Sequence, residues 1–294
     1  MLSKAVLIPQ LHVGTANFGS RYGISSKEDL SLREIEKILL YAENNNLIID
    51  TAENYPGSHY LIGLSKRNLK TATKFDLRNY SSYPDLCSAI KSAKVALSTD
   101  TLEVVYLRSG NLLFDEQEKE VINSLVADRE SLGISELGFS IYEVPELRQI
   151  EDQYGNNFTF QVPYNLANTS FKTVIEIHKQ NKSITKFVAR SIFLQGLLTL
   201  PEEEIPAELG LIAPVRDWLA TKASEENRSN VEICLNFVAN SLLFDGMVIG
   251  VQSLRQLEEC RSFLEVRTLQ KPIDFGNIPT VSEAVFDPRN WDAS

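Results

Sequence analysis

The feature that most constrains this chain is an eightfold alternation of short apolar runs with amphipathic helical stretches. The runs fall at Leu11–Thr15, Ile48–Asp50, Lys70–Lys74, Leu102–Leu107, Glu136–Ser140, Phe158–Val162, Phe187–Arg190 and Met247–Gly250. Each is brief and apolar, as parallel strands covered on both faces must be. The intervening segments carry helix punctuation. Ser31-Leu-Arg-Glu34 and Ser253-Leu-Arg-Gln256 read as capping boxes. Ile35, Ile38, Leu39 and Ala42 recur at one helical face. Pro84 suits the first turn of a helix, and Leu132-Gly133 a helix end.

Eight such units in 294 residues predict a single closed (β/α)8 barrel of the TIM type spanning residues 1–294. An open doubly wound sheet is the alternative, and it calls for a glycine-rich turn that opens directly into a helix. Gly14-Thr-Ala-Asn-Phe-Gly19 does not follow that pattern. Residues 201–225 read as an insertion with a short helix around Trp218, and residues 272–294 as a loop-like tail packed on the barrel.

Composition narrows the function classes. A formal net charge of −10 and no run of Lys or Arg argue against nucleic acid as a partner. Three scattered cysteines, Cys87, Cys234 and Cys260, form no metal-ligand spacing and fit a reducing compartment. No stretch approaches the length of a membrane span, and the N-terminus lacks the apolar core of a secretory leader. The expectation is a cytoplasmic protein without membrane or metal, acting on a small molecule.

In such barrels the residues at strand C-terminal ends face the active site. Asp50 ends the second strand, Tyr55 follows in its loop and Lys74 ends the third. A phenol ordinarily titrates near 10, too high for proton exchange at neutral pH, and a neighbouring ammonium favours its ionised form. A carboxylate at Asp50 would hold Lys74 in place. By spacing alone, a buried Asp–Lys pair with an unrelated tyrosine nearby fits better than a tuned proton donor.

The words around these residues add a second argument. Gly14-Thr-Ala-Asn-Phe-Gly19, Ile49-Asp-Thr-Ala-Glu-Asn-Tyr55 and Thr73-Lys74 resemble the opening blocks of the aldo-keto reductase superfamily. Gln161-Val-Pro-Tyr-Asn165, Ser191-Ile-Phe-Leu-Gln-Gly-Leu-Leu198 and Val248-Ile-Gly250 with Gln256-Leu-Glu-Glu259 resemble its later blocks, in order over nearly the whole chain. The wording is similar to bacterial members associated with surface-sugar pathways. The resemblance implies reduction of an aldehyde or ketone by a nicotinamide cofactor, NADPH with NADH as the alternative. Tyr55 is then the general acid, Lys74 the partner that lowers its pKa and Asp50 the anchor of Lys74. Gly14 and Thr15 belong to the first cofactor-side block, and Ser140 and Gln161 would hold the nicotinamide carboxamide. Ser191, Phe193, Gly196 and Leu197 would line the pyrophosphate path, with Arg190 before them at the nicotinamide and Gly250, Gln252, Ser253, Gln256 and Glu259 at the adenosine end.

The chain departs from that pattern at four places. Arg108 stands where the family usually has a catalytic histidine, and none of His12, His59 or His178 aligns with it. Arg is a permanent cation, so Arg108 is expected to anchor an anionic or strongly polar substrate. Arg190 replaces an aromatic residue that stacks on the nicotinamide, and Ile141 replaces an asparagine. After Gly250, Gln252 and Ser253 stand where a basic residue often grips a 2′-phosphate; Cys260 replaces an asparagine, and Arg255 could compensate. Phe18 and Tyr22 of the first loop and Trp291 of the tail are candidates for the pocket wall. A catalytically impaired barrel that binds a nucleotide or sugar as a sensor or partner subunit is the competing reading.

Overall fold

Eight parallel strands close on themselves in sequence order in the computed structural model, which describes residues 9–19, 23, 29–108, 115–266 and 273–291. They are β1 (Gln10–Gly14), β2 (Ile48–Asp50), β3 (Lys70–Asp76), β4 (Leu102–Arg108), β5 (Ile134–Ser140), β6 (Thr159–Pro163), β7 (Lys186–Arg190) and β8 (Gly246–Gly250). β1 pairs with both β2 and β8, so no edge is left open. This is the (β/α)8 barrel that the alternation predicts, with strand ends shifted by one or two residues.

Side chains alternate along each strand, which sorts them into an outer and an inner set. The outer set, among it Val13, Ile49, Val105, Phe139, Phe160, Phe187 and Ile249, joins one large core with the helices. The inner set shares the parity of Asp50 and Lys74. Ile48, Ala72, Val104 and Tyr106 form a separate small buried cluster on that parity, which marks the barrel lumen.

The helices that cover the barrel are α1 (Leu32–Asn44), α2 (Ser58–Leu64), α3 (Tyr83–Leu97), α4 (Glu116–Asp128), α5 (Val144–Tyr154), α6 (Lys172–Gln180), α7 (Ala213–Glu226), α8 (Asn230–Asn240) and α9 (Leu254–Val266). Ile35, Ile38, Leu39 and Ala42 are the buried face of α1, and Pro84 lies in the first turn of α3. α4 ends at Asp128, before Leu132, and Gly133 serves the following turn with φ of 68°. After β7 come three short 3₁₀ segments and then the fourteen residues of α7, longer than the short helix expected there. The tail adds a single turn, α10 (Glu283–Phe286), and a 3₁₀ turn at Pro288–Asn290. Among the described residues no helix is long and apolar enough to cross a membrane.

The Ser31 capping box is only half formed. Ser31 accepts from the Glu34 N–H at 3.2 Å, but the Glu34 carboxylate does not return to Ser31. It accepts from the Leu254 N–H at 2.7 Å and from Lys37 Nζ at 3.0 Å. The N-terminus of α9, with its unsatisfied amides and positive dipole end, draws the carboxylate away from its own helix.

Candidate active site

The mouth of the barrel is organised by a buried ion pair. Lys74 Nζ donates to Asp50 Oδ1 at 2.5 Å and to the Thr51 carbonyl at 3.1 Å, and both side chains are less than a tenth exposed. Gln161 Nε2 donates to Asp50 Oδ2 at 2.7 Å. Both carboxylate oxygens are thus occupied, and two of the three ammonium N–H groups are used. A charge this deep stands only when paired and hydrogen-bonded, and this one is both. Burial is the largest influence on Lys74 and lowers its pKa; Asp50 raises it, and Arg190 and Arg108 lower it further.

Tyr55 is half-buried in the loop after β2, with Lys74 Nζ 5.8 Å from its ring centroid. Its backbone is held by a turn in which Tyr55 N donates to the Ala52 carbonyl, and its own carbonyl accepts from Ser58 N. The first loop runs directly across this turn. A Cβ on Gly19 would fall 1.6 Å from the Pro56 carbonyl oxygen, so only glycine lets the two loops touch. The expected trio of Asp50, Tyr55 and Lys74 therefore lies together on one side of the mouth.

Arg108 and Arg190 both face this site. They are half-buried at the ends of β4 and β7, and both act electrostatically on Lys74 and on Tyr142. Among the described residues neither forms an ion pair with a carboxylate. Arg190 donates to the Ile141 carbonyl at 3.0 Å and lies 4.0 Å from the Tyr142 ring centroid; its buried Nε has no hydrogen-bond partner among the described residues. Arg289 from the tail also approaches Tyr142, at 4.2 Å, and pairs with Asp287 and Glu143. Arg190 is the main influence that lowers the Tyr142 pKa, against burial and aided by Arg108 and Arg289. Beside this stack lies a cavity of about 300 Å³ lined by Tyr142, Glu143, Pro163, Asn168, Phe286 and Asp287.

The remaining candidates divide into tethered and open positions. Thr15 is fully buried; its hydroxyl donates to the Asp50 carbonyl at 3.1 Å and meets Ser58 Oγ at 2.8 Å, so it ties the first two loops together. Gly14 packs closely against β8: a Cβ there would stand 3.2 Å from Val248 Cγ1 and 3.3 Å from the Ile249 carbonyl oxygen. Ser140 is buried at the end of β5, in register with Gln161.

The loop after β7 is strained. Ser191, Leu194 and Gln195 all have positive φ, at 58°, 49° and 53°, and Gly196 has 96°. Three non-glycine residues in that region within one loop persist only where the surroundings dictate them, commonly at ligand sites. Phe193 is half-buried in the same loop and Leu197 is fully buried. A Cβ on Gly250 would meet nothing within 4 Å, so the groove before α9 is open.

At the head of α9 three of the amides are already taken. Gln252 N donates to Gln256 Oε1 at 2.7 Å, Gln256 N to Ser253 Oγ at 3.2 Å and Leu254 N to Glu34. The second capping box thus closes on Gln252 instead of Ser253. Glu259 pairs with Arg255 at 2.8 Å and Cys260 is buried.

Several residues near the site carry no signal in the motif reading. His12 and Tyr106 lie in the lumen within electrostatic reach of Asp50, and Tyr142 lies in the arginine stack. The usable signal was parity: His12 is two residues before Gly14, and Tyr106 two before Arg108, so both point inward. Trp291 donates to the Val285 carbonyl at 3.0 Å and stabilises the tail. Phe18 is buried, and Tyr22 lies outside the described residues.

Solved structures share this architecture. An aldo-keto reductase from Bacillus halodurans in its holo form superposes with a TM-score of 0.73 at 14% identity, covering 95% of this chain and 96% of that one. A glycerol dehydrogenase from Gluconobacter oxydans gives 0.64 at 16% identity, covering 93% and 98%. The thermostable aldo-keto reductase Tm1743 gives 0.68 at 20% identity, covering 90% and 94%. At these identities the likeness speaks for the fold alone. No curated protein matches the chain by sequence. The model of the Aldo/keto reductase family matches residues 10–273, which is most of the chain. With that match and a closed eightfold barrel, the chain belongs to the aldo/keto reductase family, and it is an oxidoreductase by that membership.

Proposed function

We propose that this protein is an NAD(P)H-dependent carbonyl reductase in which Tyr55 protonates the carbonyl oxygen of an acid-bearing or strongly polar small molecule. The observation that carries the reading is Lys74, fixed 2.5 Å from Asp50 and 5.8 Å from the Tyr55 ring centroid. That arrangement places a fixed positive charge beside a phenol, which favours proton release from it. The cofactor, when bound, supplies the hydride. Ser140 and Gln161 Oε1 would receive its carboxamide, and the strained loop from Ser191 to Gly196 its pyrophosphate.

Two features refine the reading. Arg108 and Arg190 bring two cations to a mouth whose buried carboxylates, Asp50 and Asp287, are already paired with Lys74 and Arg289. A substrate carboxylate or phosphate would complete that balance. At the other end, the Glu34 carboxylate sits on the head of α9, where a 2′-phosphate would otherwise find free amides. This favours NADH, in place of the NADPH expected from the resemblance. The free state of Cys87, Cys234 and Cys260 suits a cytoplasmic enzyme.

The test is a fluorescence titration with NADH and NADPH, followed by turnover of neutral and acid-bearing aldehydes by wild type and Tyr55→Phe. The expected outcome is cofactor binding in both proteins and a loss of turnover of at least about a hundredfold in the variant. Unchanged turnover in Tyr55→Phe would remove the proton-donor assignment, and no binding of either dinucleotide would remove the reductase reading.

A further inference from the structure

The lumen beneath the Asp50–Lys74 pair is not the dry stack of branched aliphatic residues that fills most barrels of this class. His12 on β1 is 3% exposed, and Tyr106 on β4 is fully buried. Both side chains are let in by glycines on neighbouring strands. A Cβ on Gly246 would stand 2.9 Å from His12 Nε2, and one on Gly138 2.8 Å from Tyr106 Cδ1. Their polar atoms are nonetheless left over. Among the described residues neither His12 Nδ1 nor Tyr106 Oη has a partner in good hydrogen-bond geometry; the Gln161 amide lies close enough to act on the phenol, but its well-formed bond goes to Asp50.

Buried polar groups in folded proteins almost always find a partner, and a polar site without a protein partner takes an ordered water. Both residues border the Asp50–Lys74 pair. His12 and Tyr106 each feel the charges of Asp50 and Glu136, and the Tyr106 ring centroid lies 5.8 Å from Lys74 Nζ.

We propose that His12 and Tyr106 are positioning residues for Lys74, acting through an internal water held between His12 Nδ1 and Tyr106 Oη under the Asp50–Lys74 pair. The water and the two side chains solvate the buried pair from below and keep the ammonium charged where a dry lumen would discharge it. The proposal rests on the reading that Lys74 serves Tyr55, but the state of Lys74 is observable without turnover. The other groups facing Lys74 are Asp50 on β2, Arg108 on β4, Arg190 on β7, His59 on α2 and Tyr55 in the loop after β2, with uncharged Gln161 on β6. They are the same in every variant below, so a change reports the His12–Tyr106 layer.

The experiment follows the Lys74 Nζ resonance in protein labelled with ¹⁵N-lysine, assigned with Lys74→Met, across a pH titration. Tyr106→Phe keeps the ring and removes only the hydroxyl, so it retains the packing against Gly138. The expected result is a fall of the Lys74 midpoint by roughly one pH unit in Tyr106→Phe and in His12→Leu. His12→Asn, which keeps a polar atom in the lumen, should recover part of it. If the enzyme turns over a carbonyl, the alkaline limb of kcat moves down by the same amount while KM holds. Absence of any turnover would count against the reductase reading and leave the resonance as the judge of this one. A Lys74 midpoint unchanged in both Tyr106→Phe and His12→Leu would overturn the proposal, as would a high-resolution crystal structure with no water density between the two atoms.

Discussion

The two ends of the groove handle charge in opposite ways. At the reaction end, Asp50 and Lys74 are almost wholly buried, and each is hydrogen-bonded from several sides. At the head of α9, Glu34 meets an amide and Lys37 in an exposed setting, with side-chain exposures of 23% and 46% for Glu34 and Lys37. A buried pair is costly to break because the survivor stays unsolvated, whereas an exposed contact is screened by water and salt. Chemistry and folding should therefore be coupled at the first end, and only affinity should be tuned at the second.

Lys74→Met tests the coupling most severely. It leaves the Asp50 carboxylate buried, with Gln161 as its one remaining hydrogen-bond donor among the described residues. The expected cost is about 3–5 kcal/mol of stability, read by chemical denaturation, together with loss of turnover. A cost below about 1 kcal/mol, the range of an exposed pair, would erase the contrast between the two ends.

Acidification is the next probe. Burial, the largest influence, drives the His12 pKa from 6.5 to about 4, with Asp50 opposing it. The folded protein therefore lacks a proton that the unfolded chain binds below pH 6.5. Stability falls as pH drops from about 7 to 4 and levels off below, by about 3 kcal/mol for this one residue. His59, lowered to about 4 by burial and by Lys74, adds in the same direction. Denaturation midpoints measured across that window should flatten in His12→Leu. A wild-type curve with no slope there would show that His12 is not sealed from bulk solvent.

The contrast also explains what could be read from the chain. Strand order, the inward parity of Asp50 and Lys74, and the barrel itself follow from local periodicity, which the amino-acid order carries directly. Tyr55 was legible because its loop is anchored within the same unit, at Ala52 and Ser58. The destination of Glu34 was not. Its sequence says capping box, but its acceptor role is settled by Leu254, 220 residues away. Arg190 is a similar case, since its partners Ile141 and Tyr142 come from a different strand end. His12 and Tyr106 were legible as inward-facing, but their lack of partners depends on how eight strands converge.

Arg108→His separates substrate choice from stability. Arg108 makes no ion pair among the described residues, so its replacement leaves no orphaned carboxylate. Turnover of neutral aldehydes should rise relative to acid-bearing ones by roughly tenfold or more, the value of one charge-assisted contact. The ratio of kcat/KM for a matched pair of aldehydes, with and without a carboxylate, measures it. An unchanged ratio would detach the arginine pair from substrate selection.

The smallest effect belongs to the exposed end. Glu34 is held ionised, its pKa lowered first by the Leu254 amide and then by Lys37. Glu34→Gln keeps an oxygen for the Leu254 N–H and removes the charge. Interactions of a charge with a helix terminus are worth about 0.3–1 kcal/mol. NADPH affinity should therefore rise by roughly two- to fivefold, while NADH affinity stays near wild type. The gain should shrink as salt is raised, because the site lies in solvent. Equal changes for both dinucleotides would mean that Glu34 orders the helix head without reading the 2′ position, and the preference for NADH would then need another origin.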